Sequence, residues 1–441
     1  MTRTRSEYLD AGHECAVERP PMSATAAHTS STLAWTVQPA RVVLWLAVLT
    51  LGVFCFTRHR VGHNVASRYW TVQRLVDDGT MQHPGAWSID TVQIDGRYYS
   101  SKPPNYSLIL AAEAWVVKTA TGMKVAEHER FYLTFLVFVS QVVPYCLMLW
   151  LASRFVAELT RDPRVQAYAM AALSFGCLAF GYSVTLNNHT PTAMFLFVAL
   201  VMLWRAGSRI ARGTAFVIGL LCGLAFTFEL TSGAFAAAFL ALLGYRDRKA
   251  LVPALAGALM PVIPTLATYY AISGKLLPFY AQKDLYAYAG SYWNNPTSVD
   301  ALSEPKWLYA FNCLLGWKGL FSLTPIALLA VYGMFREIRH RGRHAAEMTA
   351  IAAGSLVVIV YIIATTNNYG GAAMGMRWFA QLGPLWAVAA VPVVDRMFAC
   401  RRGSALALFL LALSSAIVFE SLFRSAFKNG GWLIGLGKVL G

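Results

Sequence analysis

The sequence predicts an all-α polytopic membrane protein with about eleven transmembrane helices and amphipathic juxtamembrane helices in its first outer loop. Three observations predict it. Residues of the set AVILMFWYC make up 57% of the 441 residues and charged residues 13%, against about 45–50% and about 25% in soluble domains. Charge-free apolar runs recur along the chain, and Lys and Arg gather at alternate connections between them. So few charges cannot clothe a water-facing surface, so lipid must be the second solvent. This excludes a disordered chain, a disulfide-rich secreted domain and an ordinary cytosolic enzyme. The net charge of +15 would point to nucleic acid in a soluble protein. Here the basic residues flank apolar runs as topology signals, and no nucleic-acid partner is expected. The seven cysteines show no paired spacing for a disulfide, zinc or redox role.

Residues 1–40 are polar, as in 23-SATAAHTSST-32, and are expected to form a disordered cytoplasmic tail. The first apolar run, Val42 to Thr57, lies too far into the chain for a signal peptide and reads as a retained anchor. Further charge-free runs occupy 131–153, 165–204, 213–228, 230–245, 250–274, 319–335, 348–376, 378–394 and 403–419. The run 165–204 is too long for one helix crossing a core of about 30 Å. Asn187-Asn188-His189 and Pro191 divide it into a hairpin. Eleven spans result, within a transmembrane domain over 41–424 that leaves a tail at 425–441.

Loop charges orient these spans. With the tail cytoplasmic, the inner loops carry Arg154, Arg161 and Arg164; Arg205, Arg209 and Arg212; Arg246, Arg248 and Lys249; Arg336, Arg339, Arg341 and Arg343; and Arg396, Arg401 and Arg402. The outer loops 186–190 and 229–231 carry no Lys or Arg, and 367–377 carries only Arg377. This alternation is the positive-inside pattern. It holds only if 104–121, with Glu113 and Lys118, lies along the outer surface instead of crossing. The expected location is the cell inner membrane, multi-pass, with the N-terminus cytoplasmic. The outer segments 58–130, 275–318 and 367–377 are then the places for chemistry.

In the first outer loop, Val65, Tyr69, Val72, Leu75 and Val76 recur at helical spacing and predict a short amphipathic surface helix. Asp95-Gly96 marks a turn between two short strands, and Pro103-Pro104 fixes the chain as it returns to the membrane. The loop carries Asp90, Asp95, Arg68, Arg97 and Lys102. Carboxylates can take a proton from an acceptor hydroxyl. Lysine and arginine can hold a phosphate as it leaves. A solvated loop with incidental charges has the same composition.

The string DGRYYSSKPP over 95–104, preceded by Ser67-Arg68-Tyr69, resembles the GT-C superfamily of integral-membrane glycosyltransferases. The likeness is to the protein O-mannosyltransferase and aminoarabinose-transferase branch, where a G-x-x-Y-x-x-KPP pattern closes the first periplasmic loop. Residues 319–325 and 370–379 resemble GLF…SP and GG…G-x-R segments of bacterial relatives. The resemblance implies a bundle of spans with a horizontal helix in the first outer loop. It implies inverting sugar transfer from a polyprenyl-phosphate donor to a lipid, glycan or protein acceptor, with Lys102 near the donor phosphate. It implies no cofactor, and a divalent cation is left open. Where relatives carry an acidic residue before the RY pair, this chain has Asn64, Val65, Ala66 and Ser67. The base therefore falls to Asp90 or Asp95, with Asp90 first because the preceding Trp-Ser-Ile step would bury it and raise its pKa. Arg68, Lys102, Arg377, Tyr98, Tyr99 and His189 are the substrate- or phosphate-binding candidates, and no metal ligands are assigned. A catalytically degenerate assembly partner and a lipid or solute transporter are the alternatives.

Other residues admit two readings each. His189 is either a substrate contact or, with Asn187 and Asn188, part of a helix-end cap. Glu229, between two short spans, fits a hairpin tip, although an acidic residue at membrane depth is a functional signal. Arg377 follows a Gly-rich stretch whose backbone can approach a phosphate closely. The aromatics of 275–318 fit a membrane-interface belt, and Lys283-Asp284 reads as a local pair.

Overall fold

A computed structural model describes residues 38–57, 62–431 and 434. Apart from its last three residues, the tail expected over 1–40 lies outside the described residues, and Pro39 and Ala40 already belong to the first helix. That helix is α1 (Pro39–Thr57), followed by α2 (His63–Asp78), the strands β1 (Thr91–Ile94) and β2 (Arg97–Ser100), and α3 (Pro104–Thr121). A long helix follows as α4 (Glu129–Val137), a π-helical turn (Phe138–Val142) and α5 (Val143–Leu159). Next come α6 (Pro163–Ser174), the short α7 (Leu178–Tyr182), α8 (His189–Arg205), α9 (Arg212–Phe228), α10 (Gly233–Arg246) and α11 (Leu251–Ser273). The last group is α12 (Lys306–Leu314), α13 (Leu320–Leu323), α14 (Ala327–Arg339), α15 (Ala345–Thr365), α16 (Leu382–Met397) and α17 (Arg401–Arg424).

Among the described residues, five helices are long and apolar enough to cross a membrane: Pro39–Thr57, Glu129–Leu159, Arg248–Ser273, Ala345–Thr365 and Arg401–Arg424. Three shorter apolar helices cover His189–Arg205, Arg212–Phe228 and Leu230–Arg246. The first helix shows why lipid is required. Leu44, Ala47, Leu51 and Phe54 are buried at helical spacing, against α5 and α6. Its opposite stripe, Trp45, Leu49, Val53 and Phe56, is apolar and exposed. A helix apolar on both faces belongs in lipid. Where helices meet inside the bundle, small residues let backbones touch. A Cβ on Gly219 of α9 would lie 1.7 Å from the Ala254 carbonyl oxygen of α11, and one on Gly257 would lie 2.1 Å from that of Phe216.

The run 348–376 is not all helix: α15 ends at Thr365 and residues 366–376 form a loop. The segment after α17 is not a free tail as far as it is described. It doubles back, with the Met374 N–H donating to the Ala426 carbonyl at 2.8 Å and the Gly431 N–H to Glu420 Oε2 at 3.0 Å.

Residues 63–121 fold as helix, hairpin, helix. Strands β1 and β2 pair antiparallel, Thr91 opposite Ser100 and Ile94 opposite Arg97. Asp95 (φ 48°) and Gly96 (φ 76°) make the turn, the two left-handed residues that a tight hairpin needs. Pro104 opens α3, where its missing N–H costs nothing. The surface-helix reading of α2 needs correction. Val65, Tyr69 and Val72 are buried as expected, and so are Asn64, Ser67, Arg68 and Thr71. The hairpin and the start of α8 cover the polar side, so the first half of α2 is interior.

Candidate active site

Arg68 within α2 and Asp90 and Lys102 between α2 and α3 converge because α2 docks on the open end of the hairpin. Ser67 Oγ donates to the Asp90 carbonyl at 3.1 Å and meets Ser100 Oγ at 2.6 Å. The Ser101 N–H donates to the same Asp90 carbonyl at 2.8 Å. Residues 90 and 102 therefore leave the hairpin side by side, and Lys102 Nζ lies 2.7 Å from Asp90 Oδ1. Arg68, one residue beyond Ser67, is 1% exposed. Its guanidinium donates to the Asn64 carbonyl at 3.1 Å, to Asn64 Oδ1, and to Asn188 Oδ1 at 2.5 Å.

A second half of the site comes from the ends of α8 and α9. The π-helical turn aims Gln141 inward, and its Nε2 donates to the Asn187 carbonyl at 2.6 Å and to the Tyr106 hydroxyl. Asn187 caps α8, its Oδ1 accepting the Thr190 N–H at 2.9 Å. Asn188 does something else: it accepts from Arg68, and its Nδ2 donates to Glu229 Oε2 at 2.6 Å and to the Phe228 carbonyl at 2.8 Å. His189 Nδ1 lies 2.9 Å from the same Glu229 oxygen. The two readings of the Asn-Asn-His tip thus divide between residues, capping for Asn187 and site contacts for Asn188 and His189.

The third contribution is the Gly-rich loop after α15. Gly370 has φ 75°, and a Cβ there would lie 3.1 Å from both Cγ and Nε of Arg377. The glycine is needed so that the backbone can wrap around the arginine itself. Arg377 lies 6.0 Å from the ring centres of Trp378 and Phe427, and its Nε is buried without a partner. Behind this loop, Lys318 is 1% exposed. Its ammonium donates to the carbonyls of Gly371, at 3.2 Å, and Ala373, and to Asn429 Oδ1 at 2.8 Å. Burial pushes it down to about 7.

These parts line one cavity of about 380 Å³, within the range of small-molecule sites. Asn64, Arg68, Lys102, Asn188, His189, Glu229 and Arg377 give it polar groups; Phe228, Leu230, Tyr280, Tyr361, Ile362 and Trp378 are among its apolar walls. Burial pushes Arg68 down to about 10 and Lys102 to about 8, the latter against the pull of Asp90. The expected rise in the Asp90 pKa is corrected. Burial does push it up, but Lys102, Arg377 and Arg68 outweigh burial and hold the carboxyl below its ordinary value. Largely buried cations bind anionic oxygens more strongly than cations in open water. Among the described residues no three His, Cys, Asp or Glu side chains cluster to hold a metal ion.

The other candidates lie elsewhere. Asp95 is exposed at the hairpin tip, away from Lys102 and the cavity lining. Tyr98 packs edge-on against Tyr288 at 5.5 Å, and Tyr99 joins a small core with Val92, Ile94, Tyr269 and Phe279. Several aromatics of 275–318 also tie that segment to the hairpin: Trp293 Nε1 donates to the Ile89 carbonyl at 2.7 Å and the Tyr288 hydroxyl to that of Thr91 at 3.3 Å. Asp284 pairs with Lys275, at 3.4 Å. Asn64, Asn188 and Glu229 are the site residues that sequence reasoning did not select.

The architecture has counterparts among solved structures. The oligosaccharyltransferase of Archaeoglobus fulgidus in its apo form matches with a TM-score of 0.56 at 14% identity, over 91% of this chain and 57% of that one. ArnT from Cupriavidus metallidurans bound to undecaprenyl phosphate matches with a TM-score of 0.56 at 13% identity, over 88% and 64%. The chain shares its fold with these GT-C structures. The GT-C likeness extends to the A. fulgidus oligosaccharyltransferase AglB in complex with an inhibitory peptide and a dolichol-phosphate, with a TM-score of 0.52 at 14% identity over 89% and 56%. The chain spans less than two thirds of the length of each of these GT-C structures. No family model matches the chain, and no curated protein sequence does.

Proposed function

We propose that this chain is an inverting membrane glycosyltransferase that moves a sugar from a polyprenyl-phosphate donor to a hydroxyl of a lipid, glycan or protein. The observation that carries the reading is the gathering of Arg68, Lys102 and Arg377 on one cavity. A polyprenyl-phosphate sugar is a phosphodiester with one negative charge, and sugar transfer leaves a monoester that gains a second. Three cations at the leaving oxygen favour that change. The solved ArnT and AglB structures carry undecaprenyl phosphate and a dolichol-phosphate respectively, which supports this donor class. Asp90 enters as the counter-ion that orients Lys102. All eleven apolar segments would cross within a transmembrane domain over 41–424, with α3 lying along the outer surface. The arginine-rich connections would face the cytoplasm of a cell whose inner membrane holds the protein, and the cavity would open outward. The loop charges support this orientation.

The test is purified protein in lipid with a panel of polyprenyl-phosphate sugars and detection of each donor's consumption. The reading predicts that one donor is consumed and that Lys102→Ala lowers its use by about 10²–10³-fold. No consumption of any donor would favour an assembly partner without activity.

A further inference from the structure

Asp90 is ion-paired with Lys102 at 2.7 Å and is not among the residues lining the cavity. Among the described lining residues the carboxylate is Glu229. It sits at the tip between α9 and α10, as its place between two short spans predicted, and its side chain is 12% exposed. Its Oε2 takes the hydrogen bonds of Asn188 Nδ2 and His189 Nδ1. Its Oε1 takes no hydrogen bond from any described residue. One oxygen is therefore clamped and the other is free for a ligand. The same Asn188 amide holds Arg68 through its oxygen, at 2.5 Å, and Glu229 through its nitrogen, at 2.6 Å. A phosphate-binding cation and a carboxylate are thus fixed one amide apart on one wall.

We infer that Glu229 is the general base for the acceptor, with Asn188 and His189 as positioning residues; this rests on the transferase reading above. The acceptor hydroxyl gives its proton to Glu229 Oε1, and its oxygen forms a bond to the anomeric carbon of the donor sugar. The bond from that carbon to the phosphate oxygen breaks, and its electron pair leaves on the phosphate. The products are an inverted glycoside, a polyprenyl phosphate with one more negative charge, and protonated Glu229, which returns its proton to water. The electrostatics suit the order of events. Burial pushes the Glu229 carboxyl up, but His189, Arg377 and Arg68 outweigh it and hold the carboxyl below its ordinary range. A bound donor phosphate screens Arg68 and Arg377, so Glu229 becomes more basic once the donor is seated. This also accounts for a chain with no carboxylate before Arg68.

The test uses the full chain in lipid with the donor it consumes. Glu229→Gln keeps a side-chain oxygen for Asn188 and His189, so the tip survives. It is expected to lower transfer to hydroxyl acceptors by about 10²–10⁴-fold, with binding of undecaprenyl phosphate, measured by native mass spectrometry, unchanged. Azide needs no deprotonation, so Glu229→Ala with azide is expected to form the glycosyl azide while hydroxyl transfer stays lost. Wild-type transfer rates in Glu229→Gln would overturn the base assignment and leave the transferase reading standing. So would loss of the azide reaction with lipid binding intact. A wild-type chain that neither binds nor consumes any donor would remove both.

Discussion

Arg205 and Arg377 sit at opposite ends of the helix bundle and differ in their surroundings. Arg205 is half exposed and donates to Glu158 at 2.6 Å. Its neighbours at that end are paired too, Arg164 with Asp162 at 2.7 Å in contact with water and Arg246 with the buried Glu347. Arg377 forms no ion pair among the described residues and leaves a buried nitrogen without a partner. Arg68 is 1% exposed and holds only amides and a carbonyl. Paired charge in contact with water costs little and sets topology. Buried charge with too few counter-ions costs stability unless a ligand completes it. The comparison locates function at the end where charge is under-paired, although the other end holds more of it.

Substitutions can break this contrast. Among the cations and their supports, the largest effect is expected for Lys102→Ala, which removes a phosphate donor and leaves the largely buried Asp90 without its ion-pair partner. Transfer should fall by about 10²–10³-fold, measured as donor consumption. Asn188→Ala should lower transfer by roughly tenfold or more, because a lost charged hydrogen bond is worth about 1.5–3 kcal/mol and both Arg68 and Glu229 lose their spacer. Folding of that variant is checked by its thermal transition. Lys318→Met tests the loop behind the site. It should lower stability by about 1.5–3 kcal/mol and weaken lipid-phosphate binding, since the segment carrying Arg377 loses its tie to Asn429.

A pH titration sharpens the contrast further. Lys102, pushed down to about 8, is charged below that pH and neutral above it. Binding of undecaprenyl phosphate to the free chain should weaken as pH rises through about 8. Lys102→Arg should flatten that decline, because arginine stays charged. The smallest effect is expected at the opposite end. Arg205→Ala should change stability by about 0–1 kcal/mol and leave lipid-phosphate binding untouched; a large loss there would erase the distinction between the two ends.

The parts of this site differ in how far the sequence reveals them. Lys102 and the Asp95-Gly96 turn are legible because a hairpin closed by Pro103-Pro104 is a local structure. Burial of Asp90 is legible from its apolar neighbours. The direction of its pKa is not, because that depends on Lys102 across the hairpin and on Arg377 from a distant loop. Tyr98 and Tyr99 share the motif with Lys102, but the strand carries them onto Tyr288 and the Tyr269–Phe279 core. Asn188 and Glu229 lack a motif. They meet Arg68 only because α2, α8 and α9 pack together, and no local pattern records that. Their one signal was a polar tripeptide and a single acid at two connections empty of Lys and Arg. The helical bundle was legible in outline, because lipid requires long apolar runs: five helices among the described residues are long and apolar enough to cross a membrane, whereas the run 348–376 leaves its helix at Thr365.

The account rests on a lipid phosphate occupying the cation-lined cavity. Native mass spectrometry of the wild-type chain, Lys102→Ala and Arg377→Ala with undecaprenyl phosphate measures this directly. The account predicts one bound lipid per wild-type chain and at least about tenfold weaker binding in each variant, the value of one lost charged contact. Equal binding by all three proteins, or none by the wild type, would contradict it.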